Sequence, residues 1–289
     1  MRQELGETPM RMAIFVIDND PERSARPVFD RTLGEAGGHF YVPCAEPGIP
    51  IARNAAVDAA LAADAAFIAF IDDDEVAPPF WLARLADVLA RSNADAVQGG
   101  VRKSPAGTDI SKLEAAALHE MTWERSESLA TCNLLFRTRL VRPPLSLRFD
   151  EGMRYTGGSD REFFMHAHKR GASLVVARGV DVLEEVAAGR ETLRYACGRA
   201  FAAGNNFVTR MVKHEPFLTG RVRIGLRALD RGLSGVVKLI GAALLSLLLQ
   251  FKSAAGQARK GCAALSFAAG CLSPAFGIRA QPYLIVQGR

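Results

Sequence analysis

The chain has no low-complexity tract and no internal repeat across its 289 residues, which sets aside fibrous and solenoid architectures. Cysteine is sparse. Cys44, Cys132, Cys197, Cys262 and Cys271 are odd in number and lack metal-type spacing. That pattern argues for a reducing compartment and against a disulfide framework. Met1–Met10 is polar and mixed in charge, which does not read as a secretory signal. Uninterrupted apolar length is also limited in the C-terminal segment Gly232–Phe251, where Lys238 leaves an uncharged run of thirteen residues, Leu239–Phe251. Runs of that length lie in interfaces or are buried more often than they span a bilayer.

What is present is a globular composition, 49% hydrophobic and 23% charged, with enough length for one sizeable domain plus an appendage. The net charge of +5 is unevenly placed. Between Arg210 and Lys260 stand ten basic residues against Glu215 and Asp230, so a slightly acidic body carries a basic, apolar tail. The expected division is residues 1–190 and residues 191–289.

Along the first division, strands alternate with helices. Ala13–Ile17 reads as a strand ending in the loop-forming Asp18-Asn19-Asp20-Pro21. A helix over Ser24–Glu35, a strand over Phe40–Val42 and an alanine-rich helix from Gly48 to Ala63 follow. Ala66–Ile71 is a short unbroken apolar run, which predicts a strand buried on both faces. Pro79 suits the first position of a helix running to Arg91. Strands over Ala96–Val101, Thr131–Phe136 and Ser173–Ala177 flank a helix over Ser159–Arg170. The alternation predicts an α/β fold, a mostly parallel Rossmann-like sheet with helices on both faces. From Arg190 onward the pattern is helical and increasingly apolar.

Asp72-Asp73-Asp74-Glu75 stands where the apolar run ends. Four carboxylates at the end of a strand repel one another, and a hard divalent cation with oxygen ligands would relieve that. Open α/β sheets bind ligands at the carboxyl ends of their strands. A solvated acidic turn is the plain alternative. Gly157-Gly158-Ser159-Asp160 is a second candidate element. Ser159 and Glu162 fit a capping box, with Ser159 as the cap, while Asp160 lies where a helix N-terminus suits negative charge. Trp123 is a candidate stacking platform for a ligand, although an isolated Trp is more often core or rim.

Taken in order, Ile14–Asp20, Gly48–Asn54, Phe67–Glu75 and Gly157–Phe164 resemble glycosyltransferase family 2, the inverting GT-A enzymes. The likeness is closest to the succinoglycan-type exopolysaccharide β-glucosyltransferases of the bacterial inner membrane, and it covers about Ala13 to Asn206. The resemblance implies a GT-A domain with a UDP-sugar donor. Asp18 and Asn19 would meet the uracil or ribose, with Arg53 beside the nucleotide. Asp72-Asp73-Asp74 matches the DxD element: Asp72 and Asp73 would serve the ribose and metal shell, and Asp74, helped by Asp72, would hold Mg2+ or Mn2+. Asp160 would be the general base for the acceptor hydroxyl. Gly157, Gly158, Asn133 and Trp123 would lie on the acceptor side. Two departures stand out: Glu184 occupies the place of a family histidine, and only Met1–Arg11 precedes the first strand, where the family has a further strand and a Thr-x-x-Arg-type loop.

The expected function is transfer of a sugar, glucose by resemblance, from a UDP-sugar to a lipid-linked saccharide acceptor in exopolysaccharide or cell-surface glycan synthesis. The expected location is the cytoplasmic face of the inner membrane, peripheral or monotopic. Basic flanks around an apolar helix suit an anionic membrane surface, with burial in a helical subdomain and spanning as the alternatives. Nucleic-acid binding is rejected, because the basic stretch is too apolar and lacks interleaved aromatics. The rival from another class is a non-catalytic, membrane-bound subunit of a polysaccharide assembly complex.

Overall fold

The computed structural model describes residues 11–34, 37–105, 121–186 and 192–282. The segment before the first strand and the expected division after residue 190 lie outside the described residues. The chain forms two compact units. One comprises Met1–Arg154 with Gly158–Val186, and the other comprises Tyr155–Gly157 with Ala187–Arg289.

The first unit runs β1 (Ile14–Asp18), α1 (Arg26–Thr32), β2 (His39–Pro43), α2 (Ile49–Ala62), β3 (Phe67–Phe70), β4 (Glu75–Val76), α3 (Trp81–Arg91), β5 (Ala96–Pro105), β6 (Thr122–Arg125), β7 (Leu134–Arg137), α4 (Ser159–Lys169) and β8 (Leu174–Val186). Strands β1 and β2 pair in parallel as a sheet of their own. The remaining strands form a six-stranded sheet in the order β3-β7-β5-β8-β4, with β6 on β8. Among the described residues only β5–β8 is parallel within it; β3–β7, β5–β7, β4–β8 and β6–β8 are antiparallel. The mostly parallel sheet expected from the alternation is therefore a mixed one. The short strands β4 and β6, neither of which carries an apolar run, supply two of the antiparallel partners.

Period-two alternation sends successive side chains to opposite faces. Leu134, Phe136 and Leu174 join one core with Val57, Phe149, Phe163 and Phe164, while Leu135 and Val175 join another with Trp81, Leu85 and Val88. Helices α2 and α4 thus cover one face and α3 the other. Strand β3 departs from expectation: it is the edge strand, with Ile68 buried but Phe67 42% exposed. Its apolar run reflects an edge whose Phe67 ring is covered by Arg137, 5.4 Å away, not burial on both faces. Helix α3 begins at Trp81, so Pro79 precedes the first turn and does not open it.

The second unit is helical: α5 (Leu193–His214), α6 (Phe217–Leu247) and α7 (Phe251–Leu272). Gly270 lies inside α7. It is small for a packing reason, since a Cβ there would collide with the Phe201 carbonyl, and one on Gly204 would collide with that of Phe267. Between α6 and α7, Cβ atoms on Gly235 or Gly261 would each stand 3.0 Å from the other's carbonyl oxygen. Asn205 closes the C-terminal end by donating to Ser273 Oγ (2.9 Å) and to the Ile278 carbonyl (3.0 Å).

Candidate active site

Strand β3 delivers the chain into Asp72-Asp73-Asp74, and β4 begins at once with Glu75. Glu75 is 8% exposed and folds the acidic turn back on itself. Its carboxylate accepts the Asp72 N–H at 3.0 Å, and its own N–H donates to the Asp72 carbonyl at 3.1 Å. The Asn133 backbone N–H donates to the same carboxylate. Burial, and after it the charges of Asp72 and Asp74, push the Glu75 carboxyl up to about 7 against the two hydrogen bonds. Strand β4 pairs antiparallel with β8 and sets Glu184 opposite Glu75. Glu184 in turn is 3.5 Å from the Lys103 ammonium. The residue standing in the place of the family histidine therefore borders this turn.

Helices α2 and α4 bring the other groups. Gly157 and Gly158 both hold positive φ, 76° and 85°, a double left-handed turn that explains why two glycines precede the helix. Gly158 is itself the cap. Ser159 is the first helical residue and makes no capping bond, so the expected capping box does not form. Its buried hydroxyl instead receives a hydrogen bond from Arg53 Nη1 at 3.3 Å. Arg53 also lies over the Phe149 ring, 5.7 Å from its centre. Its neighbour Asn54 holds that segment in place by pairing with both backbone groups of Phe149. The alanine-flanked Arg-Asn pair thus divides its labour between the site and the scaffold.

The Asp72 carboxyl registers the whole constellation. It is raised first by loss of solvent around it; Arg53 opposes the rise, while Asp74, Asp73 and Asp160 add to it. Asp72 keeps substantial accessible surface, so the neighbouring charges are the more informative causes. Arg53, Asp73, Asp74 and Asp160 are accordingly all within electrostatic reach of Asp72. Among the described residues, no three of these carboxylates bring ligand atoms within 4.8 Å of one another, so a cation on this turn would draw further oxygens from substrate phosphate. A donor set of hard oxygens whose mutual repulsion raises Asp72 fits such an ion.

Other predicted residues are placed differently. Asp18 is 5% exposed, and its carboxylate accepts from Asp20 N, Ala25 N and the Tyr41 hydroxyl (3.0, 3.0 and 2.6 Å). Asn19 donates to the Cys44 and Glu46 carbonyls and accepts from Gly48 N at 2.6 Å. Asp18 thus fixes the loop that leads into α1, and Asn19 the loop that leads into α2. Asn133 is fully buried, with φ at 48°. Its Oδ1 accepts from Trp81 Nε1 (2.6 Å), and its Nδ2 donates to the Gly100 and Val180 carbonyls (2.7 Å each). Both amide hydrogens are taken and the residue is fully buried, so these bonds give Asn133 a structural role beside its assignment to the acceptor side. Trp123 is a half-buried rim residue of the α3-side core, with Arg91 5.0 Å over its ring.

Sequence reasoning missed Glu75 as the buried tether of the turn, the Arg53–Ser159 contact, and Cys132. Burial, followed by Glu75, Asp72 and Asp160, pushes the Cys132 thiol up to about 11. Only the third-position spacing of Glu75 from Asp72 hinted at the tether.

Residues 2–140 match the family model described as Glycosyl transferase family 2. The chain is 32% identical over 199 residues to "Succinoglycan biosynthesis protein ExoM" of Rhizobium meliloti (strain 1021), over 67% of this chain and 63% of that one. It carries a family 2 glycosyltransferase domain. The chain spans under two thirds of that curated relative. Among solved structures, S. aureus TarS is similar at 15% identity and a TM-score of 0.43, over 66% of this chain and 34% of that chain. TarS 1–349 in complex with UDP-GlcNAc is similar at 13% identity and a TM-score of 0.42, over 92% and 83%. The matched family segment contains Asp18, Arg53 and the whole acidic turn; Asp160 lies beyond it.

Proposed function

We propose that this chain is a metal-dependent, inverting glycosyltransferase. It moves a sugar, glucose by its likeness to the succinoglycan relative, from a UDP-sugar to a lipid-linked saccharide in exopolysaccharide or cell-surface glycan synthesis. The observation that carries the reading is the electrostatic meeting of Arg53, Asp72–Asp74 and Asp160, contributed by one strand end and two helix starts.

Arg53, held by Ser159 and the Phe149 ring, offers positive charge beside the acidic turn, where a nucleotide diphosphate would lie. Asp74 and Asp72 would hold Mg2+ or Mn2+, which supplies charge neutralisation for the departing diphosphate. Asp73, on the same turn, is assigned to the ribose. Glu75 keeps the turn in shape through its bonds to Asp72 and Asn133. Asp160 takes the proton from the acceptor hydroxyl as that oxygen attacks the anomeric carbon. The new C–O bond forms as the bond to UDP breaks, and the electron pair leaves with the diphosphate. One base and no assigned nucleophile imply a single displacement and inversion at the anomeric carbon.

The compartment that fits a nucleotide-sugar donor and a lipid-linked acceptor is the cytoplasmic face of a bacterial inner membrane. UDP release from UDP-glucose in the presence of Mn2+, measured with a lipid-linked saccharide acceptor, tests the chemistry. Loss of that release in Asp74→Ala and in Asp160→Asn is expected. Undiminished release in both would overturn the assignment.

A further inference from the structure

Helix α6 is built inside out relative to a helix of a water-soluble bundle. Its buried residues are small: Gly220, Ala228, Gly235 and Ala242. Its large apolar residues face outward. Leu218, Leu226, Leu233, Val237, Ile240 and Leu247 are between 56% and 79% exposed. At about 100° per residue these six fall within roughly a third of the helix circumference, and the buried glycines and alanines lie on the opposite side. Packing small residues inward and large ones outward is what helices do when their outer surroundings are lipid.

We propose that the outward face of α6 docks in the plane of an anionic lipid bilayer. Three observations select that occupant. First, the stripe from Leu218 to Leu247 is about 44 Å long by helical rise, longer than the ~30 Å hydrocarbon core. Second, no helix among the described residues is long and apolar enough to cross a membrane. A one-sided stripe of that length lies along a surface. Third, the surrounding charge is predominantly positive. Arg221 flanks the stripe near its start, and Lys252, Arg259 and Lys260 follow its end on α7, all exposed. Arg223 and Arg227 are partly offset by Glu215 (2.8 Å) and Asp230 (3.5 Å), and these are the only two acidic residues between Arg210 and Lys260. A second copy of the chain would bring two such cationic surfaces together. Anionic headgroups complement one, at about 1 kcal/mol per basic residue near the surface.

The inference concerns the helical unit alone and does not depend on the transferase reading, so it is tested without donor or metal. The full chain is sedimented with phosphatidylcholine vesicles that contain phosphatidylglycerol, and with phosphatidylcholine vesicles alone. The wild type pellets with the anionic vesicles and much less with the neutral ones. Leu233→Glu together with Ile240→Glu lowers the bound fraction about tenfold or more, because two charges must then enter the interface. Arg221→Gln with Lys252→Gln and Arg259→Gln weakens binding to anionic vesicles only. All five positions are on the surface, so unchanged helicity and thermal midpoint confirm folding of each variant. The proposal is overturned if the wild type stays in the supernatant with anionic vesicles, or if the double glutamate variant pellets equally well. It also fails if light scattering shows a dimer that the glutamate variant dissolves while vesicle binding is absent.

Discussion

At the scale of single residues, a buried glutamate beside three aspartates gives the acidic turn a measurable signature. Glu75 is pushed from 4.5 to about 7, so between those values the folded protein holds a proton that the unfolded chain has released. Stability must then fall as pH rises through that window and level off above it. Asp72, shifted in the same direction, adds to the slope. Urea unfolding at a series of pH values, with chelator present, is expected to show the decline, and Glu75→Gln is expected to flatten it. Asn133 carries a different load. Asn133→Ala strands the Trp81 N–H, the buried Val180 carbonyl and the part-buried Gly100 carbonyl, and should lower stability by about 3 kcal/mol in denaturant unfolding. Asp160→Asn should retain UDP binding in titration calorimetry while transfer slows about a hundredfold or more, because only proton transfer is removed.

Among the elements, those with strong periodicity were legible: α2, α3 and α4 lie within the expected segments, β1 overlaps its segment but runs one residue further, to Asp18, and β5 starts where expected but continues to Pro105. The short pairs β4 and β6 were not, because Glu75–Val76 and Thr122–Arg125 have no apolar alternation, and only a neighbouring strand makes them strands. The candidate site was legible where chemistry shows in the sequence, as at Asp72–Asp74 and the Gly157-Gly158 turn. It was illegible where a side chain's partner is distant in sequence, as with Arg53 on Ser159, 106 residues away. Helical glycines follow the same division. Gly225 and Gly241 face open space, whereas Gly204 and Gly270 meet backbone carbonyls. Gly225→Ala should therefore raise stability by roughly 0.5–1 kcal/mol through helix propensity. Gly270→Ala should lower the thermal midpoint clearly, since neither carbonyl nor helix can yield cheaply.

For the molecule as a whole, ligand linkage offers the broadest check. If Asp72 and Asp74 share an ion with the donor's diphosphate, UDP and Mn2+ together should raise the melting temperature more than the sum of each alone, and Asp74→Ala should abolish the synergy. Equal, additive shifts in the variant and the parent would contradict shared ligation. The thiols distribute in an instructive way as well. All five cysteines are free; Cys271 is buried with its thiol pushed up to about 11, and Cys132 lies among carboxylates. Thiolate is the reacting species, so alkylation at mildly alkaline pH should mark Cys44, Cys197 and Cys262 well before Cys132 or Cys271, as peptide mass mapping can establish. A fluorophore could therefore be attached near α2 through Cys44 without first removing the cysteine beside the acidic turn, and electrophilic warheads aimed at that cysteine would make poor inhibitors.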